Sequence, residues 1–239
     1  MPVTPRRTLL IDADDTLWEN DRHYRASTQR FIALLASLGA DTTSAQALVD
    51  ACEHEQIAVG GYGPTSFTAA LLTAAQRMLA PLGRIVDEAI ETRVRACSAR
   101  LFDAHVDLLP DVASTIAALA ERCALTLVTK GEERFQLEKL AGSRLAPYFT
   151  HARVLRHKET SAYARLVADL QLDLALTWMV GNSPRSDINP ALLAGLGAVY
   201  IPHDDTWHQE LEPLLTSPRL VTLKRFAELR GLFAPDGSA

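Results

Sequence analysis

Lysine is nearly missing from this chain. Only four of its 239 residues are lysine: Lys130, Lys139, Lys158 and Lys224. None lies between residues 20 and 101, so that stretch holds no amine for imine chemistry. Cysteine is scarce too. Cys52, Cys97 and Cys123 are odd in number and widely spaced, which excludes a disulfide framework and a zinc site. Each sits among apolar, Ala-rich neighbours and reads as buried filler. No apolar run approaches the length of a membrane span. Four or five apolar positions precede Asp12, too few for a signal-peptide core. The net charge of −5 leaves no basic footprint for nucleic acid or an anionic membrane. These absences point to a cytoplasmic chain in a reducing compartment, and oligomeric state is not legible from them.

The composition itself is ordinary, with 48% hydrophobic and 22% charged residues. The length suits one large domain, or one domain with a smaller insert. Hydrophobic spacing divides the chain into two kinds of segment. Asn20–Leu38, Ser44–Val59, Pro64–Leu79 and Ile85–Leu101 carry helical patterns with no convincing strand between them. Elsewhere strands alternate with helices. Strands are expected at Thr8–Ile11, Ala124–Val128, Thr150–Leu155, Leu176–Val180, Ala198–Ile201 and Val221–Lys224. Helices are expected at Asp111–Arg122, Glu132–Leu140, Thr160–Leu170, Ile188–Ala194 and Arg225–Leu232. Alternation of this kind indicates βαβ units and a parallel sheet. The expected fold is therefore an α/β, Rossmann-like core of residues 1–19 and 104–239, with an α-helical cap of residues 20–103 inserted after the first strand. The tail Ala234–Ala239 is expected to fray.

The most informative stretch is Leu9-Leu10-Ile11-Asp12-Ala13-Asp14-Asp15-Thr16. An apolar strand ends in three carboxylates within four positions. Two explanations compete: an acidic turn or helix cap, and a site that holds a cation or a proton. The other strands favour the second, because they too end in polar groups. Thr129-Lys130-Gly131 closes one strand, and Gly181-Asn182-Ser183 with Asp187 follows another. Lys158 follows a third and precedes a helix. In a parallel sheet these ends share one edge, where ligands of open α/β sheets bind. Carboxylates, a hydroxyl, an ammonium and helix N-termini together suit a phosphate ester and a divalent cation.

These four segments resemble, in order, the motifs of the haloacid dehalogenase superfamily, in the branch with a helical cap after the first motif. The resemblance spans roughly the whole chain. It implies that Asp12 is a nucleophile and that Asp14 is a general acid and base. It implies that Thr129, with the Lys130 amide, binds phosphate and that Lys158 offsets charge. Lys130 competes with Lys158 for that last role. Mg²⁺ is the implied cofactor, held by Asp12, the Asp14 carbonyl and Asp187. Asp15 is expected as a cap or turn residue, and Thr16 as a local hydrogen-bonding residue. The pattern departs at Asn182, where an acid is usual. An amide oxygen there can orient or ligate but carries no charge. Ser183 is either a phosphate or metal-shell contact or a helix cap.

The superfamily contains several activities, so the fold does not fix the reaction. A dehalogenase needs no proton donor at the Asp14 position. The resemblance therefore implies a Mg²⁺-dependent phosphatase acting on a small phosphorylated metabolite. A phosphomutase, or a catalytically weak phosphate-binding or regulatory protein, remains the alternative. Trp18, Glu19, Asn20, His23, Tyr24 and the Gly60–Pro64 loop are candidate substrate contacts; packing and linker roles compete for them.

Overall fold

The computed structural model describes residues 6–234. Met1–Pro5 and Pro235–Ala239 lie outside the described residues, and with them most of the tail expected to fray. The chain divides into two compact units. One comprises residues 1–21 and 105–239, the other residues 22–104.

The first unit is built on a six-stranded, wholly parallel sheet. Its strands are β1 (Arg7–Ile11), β2 (Cys123–Lys130), β3 (His151–Leu155), β4 (Thr177–Gly181), β5 (Gly197–Tyr200) and β6 (Leu220–Thr222). Their spatial order is β3-β2-β1-β4-β5-β6. Every expected strand is present. Strand β1 is central, and its apolar residues face both ways. Leu9 and Ile11 enter one buried cluster, and Leu10 enters the other. That is why its sequence is a continuous apolar run rather than an alternating one.

In chain order the helices are α1 (Asp21–Ser37), α2 (Ala45–Gly60), α3 (Pro64–Leu79), α4 (Glu88–Ser98), α5 (Val112–Arg122), α6 (Glu133–Gly142), α7 (Thr160–Asp169), α8 (Asn189–Leu193) and α9 (Leu229–Phe233). Val112, Ile116 and Leu119 form one stripe of α5 and join Leu229 and Phe233 of α9 on one face of the sheet. Tyr163 and Leu166 of α7 cover the other face with Ala191 of α8. The second unit is helical. Phe31, Leu34 and Leu35 of α1 pack with Val49 and Cys52 of α2, Phe67 and Leu71 of α3, and Val94 of α4. All three cysteines are buried and free.

Three helices differ from expectation. The segment expected as one helix from Arg225 begins as a 3₁₀ turn, Phe226–Glu228, before α9. The segment expected as one helix from Ile85 starts only at Glu88. The Asp87 carboxylate caps it by accepting the Ile90 amide at 2.8 Å, and Ile85 stays 79% exposed outside it. The helix expected from Ile188 is preceded by a wide π-turn, Pro184–Ile188, before α8 begins. Pro190 lacks an amide hydrogen, so it suits only the first turn of α8.

The strand order reverses direction between β1 and β4. Crossovers diverge at that point and leave a crevice beyond the carboxyl ends of the two strands. Asp12 is the first residue after β1, and Asn182 the first after β4.

Candidate active site

Asp12 leaves β1 with its amide still bonded to the Val180 carbonyl at 2.9 Å. The ladder therefore carries it to the sheet edge in a fixed pose. Lys158, just before α7, reaches the same point. Its ammonium donates to Asp12 Oδ1 and, at 2.7 Å, to Asp187 Oδ1. The three groups are almost fully buried. Burial and the Asp187 charge push the Asp12 carboxyl up to about 7, against the pull of Lys158. Burial alone would lower the Lys158 pKa, but the two carboxylates more than reverse this and hold it charged. Two carboxylates thus share one ammonium, and the centre retains an excess of negative charge.

The π-turn positions Asp187. Its Oδ2 accepts the Ser183 amide at 3.0 Å. Ser183 caps the turn, its hydroxyl accepting the Ser186 amide at 2.8 Å. The helix-cap expectation for Ser183 is therefore met. Thr16 donates its hydroxyl towards Asp12 Oδ2 at 2.9 Å and Asn182 Oδ1 at 3.2 Å. Asn182 in turn donates to Thr206 Oγ1 at 2.8 Å. Asp15 has positive φ, and its carboxylate accepts the Asn20 and Asp21 amides where α1 begins. That is the capping role its position suggests.

Asp14 stands in a separate grip. Its Oδ1 accepts the Trp18 indole at 2.7 Å and Lys139 at 2.8 Å, and its Oδ2 accepts Gln136 at 2.8 Å. Burial opposes ionisation of Asp14, but Lys139 and the other two donors hold its pKa below the usual carboxylate range. Lys139 also donates to Asn20 Oδ1 at 2.8 Å. Trp18 is fully buried, so it packs and positions at once.

Thr129 is buried at the end of β2, where its hydroxyl donates to the Lys130 carbonyl at 3.3 Å. Lys130 does not join Lys158 on the acids. Its ammonium donates to Glu210 at 2.7 Å and Ser186 at 2.8 Å. The structure thus brings together Asp12, Lys158, Asp187, Thr16 and Asn182. It surrounds Asp14 with donors from α6, and turns the Lys130 side chain elsewhere.

Four residues here escaped the sequence reading: Gln136, Lys139, Thr206 and Glu210. Lys139 alone left a signal, as one of only four lysines.

The donor set at Asp12 and Asp187 suits a hard divalent cation. It offers carboxylate oxygens, and its surplus negative charge is what such an ion neutralises. Among the described residues one further group, Asp15, Glu19 and His203, brings ligand-type atoms within 4.8 Å of one another. There Asp15 serves the start of α1, and His203 Nδ1 accepts the Asp205 amide at 3.3 Å.

An open parallel sheet with a buried Asp–Lys–Asp centre at its switch point defines a Rossmann-like α/β core with the motif residues on one edge. The family model of haloacid dehalogenase-like hydrolases matches residues 6–195, and the chain belongs to that family. No curated protein matches it significantly. A haloacid dehalogenase-like family hydrolase from Xanthomonas campestris is 26% identical with a TM-score of 0.81, over 96% of this chain and 92% of that one. A predicted phosphoglycolate phosphatase from Haemophilus somnus 129pt is 16% identical with a TM-score of 0.59, over 95% and 97%. An L-2-haloacid dehalogenase from Xanthobacter autotrophicus is 15% identical with a TM-score of 0.60, over 95% and 98%. The last two likenesses show the fold alone, and their activities differ. Among the described residues no helix is long and apolar enough to cross a membrane.

Proposed function

We propose that this hydrolase is a Mg²⁺-dependent phosphatase acting on a small phosphorylated metabolite through an aspartyl phosphate. The observation that carries this is Asp14, held beside the Asp12 centre by Lys139, Gln136 and Trp18. Expelling a halide needs no proton, so a dehalogenase has no work for this carboxylate. Expelling an alkoxide does need one.

In the first step an Asp12 oxygen bonds to phosphorus, and the phosphorus–ester oxygen bond breaks. The leaving oxygen takes a proton from Asp14, which must first be drawn off the Lys139 ammonium that holds it ionised here and take up a proton. In the second step Asp14 takes a proton from water as the water oxygen bonds to phosphorus. The Asp12–phosphorus bond then breaks and releases phosphate. Lys158 holds Asp12 in place and offsets charge on the transferring phosphoryl oxygens. Thr129 and the amides of Lys130 and Gly131 bind those oxygens at the end of β2. Asp12, the Asp14 carbonyl and Asp187 would hold Mg²⁺, which supplies positive charge that lets an anionic nucleophile approach an anionic ester.

The test is hydrolysis of p-nitrophenyl phosphate by the purified protein, with Mg²⁺, with chelator, and with Asp12→Asn. Turnover that needs Mg²⁺ and is abolished by Asp12→Asn supports the proposal. Turnover of a 2-haloacid without phosphatase activity overturns it.

A further inference from the structure

The connection from β5 to β6 belongs to none of the four motifs, yet two of its residues grip the loop after β4. Thr206 Oγ1 accepts the Asn182 amide nitrogen at 2.8 Å. Four residues on, Glu210 accepts the Ser183 hydroxyl on Oε2 at 2.5 Å. Asn182 and Ser183 are consecutive, so the two contacts fix adjacent residues of one loop. Beyond each lies the reactive centre. Asn182 Oδ1 shares the Thr16 hydroxyl with Asp12, while the Ser183 amide holds Asp187.

Glu210 is anchored from the other side. Its Oε1 accepts Lys130 at 2.7 Å, and the same ammonium donates to Ser186 within the π-turn. The side chains of Lys130 and Glu210 are 15% and 12% exposed. A carboxylate this buried costs free energy unless its lone pairs are occupied. Here one oxygen takes an ammonium and the other a hydroxyl. The ammonium is the counter-charge that lets Glu210 stay ionised against the loop. The chain Lys130–Glu210–Ser183–Asp187 thereby ties the end of β2 to the acid after β4.

We propose that residues 206–210 are a clamp on the loop after β4, in which Thr206 positions the Asn182 amide and Glu210 positions the Ser183 hydroxyl. Both are positioning residues. The clamp rests on the assignment of that loop to the phosphatase centre. It gives the Lys130 ammonium, the competitor of Lys158 for offsetting charge, the role of a strut between two motif loops.

The experiment compares two double variants that remove the buried pair symmetrically. Lys130→Met with Glu210→Leu removes the carboxylate that takes the Ser183 hydroxyl, leaving that hydroxyl only the Ser186 amide and, at 3.4 Å, the Glu210 carbonyl. Lys130→Met with Glu210→Gln restores a hydrogen-bonding group facing it. Amide hydrogen exchange at Ser183 and Ser186 is read by NMR, with kcat and KM on p-nitrophenyl phosphate. The clamp predicts at least tenfold faster exchange and a tenfold lower kcat in the leucine variant, KM changing less than threefold. The glutamine variant should recover most of both. Exchange and kcat at wild-type values in the leucine variant overturn the clamp, as does an equal loss in both variants. Thr206→Val and Thr206→Ser supply a second test that disturbs no charge. The serine variant should match wild type, and the valine variant should lose kcat; equal rates in all three overturn the Thr206 role. If the wild type hydrolyses no phosphate ester, the phosphatase proposal fails, while the exchange data still decide the clamp.

Discussion

Gly181 and Asp187 occupy the same space to within a methyl group. A Cβ on Gly181 would lie 2.2 Å from Asp187 Oδ2 and 2.4 Å from its Cγ. The last residue of β4 therefore has to be glycine for the acid of the following π-turn to fold back against it. Gly181→Ala should force Asp187 off Lys158, costing about 1–3 kcal/mol of stability by overpacking. Misplacing the acid by an ångström should cost about a hundredfold in kcat. Urea titration and turnover check both. Gly231→Ala is the control. Nothing lies within 4 Å of its added methyl, so it should be neutral or stabilise α9 by up to about 1 kcal/mol.

Lys158 stands between Asp12 and Asp187 with its side chain 1% exposed. Lys158→Met would leave two buried carboxylates facing each other without a counter-charge. The expected loss is about 3–5 kcal/mol, the usual result of breaking a buried pair from one side. Turnover should fall by about a hundredfold or more, since one preorganised charge on the transferring group is gone. Equilibrium unfolding and p-nitrophenyl phosphate hydrolysis measure the two effects. Stability equal to wild type would show that the acids find another partner.

Much of this was legible in the sequence because the strands announce themselves. Leu9-Leu10-Ile11 is apolar on both faces, and Asp12 marks its exit from the core. The four motif positions sit at strand ends, so the parallel order alone gathers them on one edge. What stayed hidden are contacts between segments remote in sequence. Thr206 and Glu210 reach Asn182 and Ser183 across 24 and 27 positions. Their surrounding segment, Pro202–Pro213, has no periodicity to mark it. Lys139 was hidden differently. It sits on α6 beside Glu138 and looks like one half of a solvated charge pair, although its rarity was a clue. Arg134 takes Glu138 instead, at 2.8 Å, and Lys139 turns to Asp14.

That turn makes Lys139 testable. It and Gln136 lie three residues apart on α6, on one face of the helix, and each takes one oxygen of Asp14. Lys139→Met removes the charge that holds Asp14 ionised and frees the carboxyl to turn away from the leaving oxygen, so loss of aim is set against a raised pKa, without touching Asp12. An alkyl phosphate, whose leaving oxygen needs a proton, should then suffer more than p-nitrophenyl phosphate, whose leaving group departs unaided. The expected differential is about tenfold or more in kcat/KM, within the range general-acid catalysis contributes. Equal losses on both substrates would mean that Lys139 serves only to hold the fold.

The Glu210 pair sets an acid limb on stability. Burial would raise the Glu210 pKa, but Lys130 and the hydroxyls of Ser183 and Ser186 overcome it and bring the pKa down to about 2 from its ordinary 4.5. A carboxyl depressed by folding stabilises the native state above its unfolded pKa. That contribution fades as pH falls through the folded value. The window is therefore pH 4.5 down to about 2, with stability lost towards acid. A shift of this size corresponds to about 3 kcal/mol at neutral pH. Glu210→Gln cannot titrate, so it should be less stable than wild type by that order at pH 7. The two curves should converge towards pH 2. Asp21, whose carboxyl is raised by burial and in part by the Glu210 charge, is the other carboxyl that shifts in the variant. Urea unfolding of wild type and Glu210→Gln across pH 2–7 measures it. A difference that stays constant with pH would place the Glu210 contribution in packing rather than in its charge.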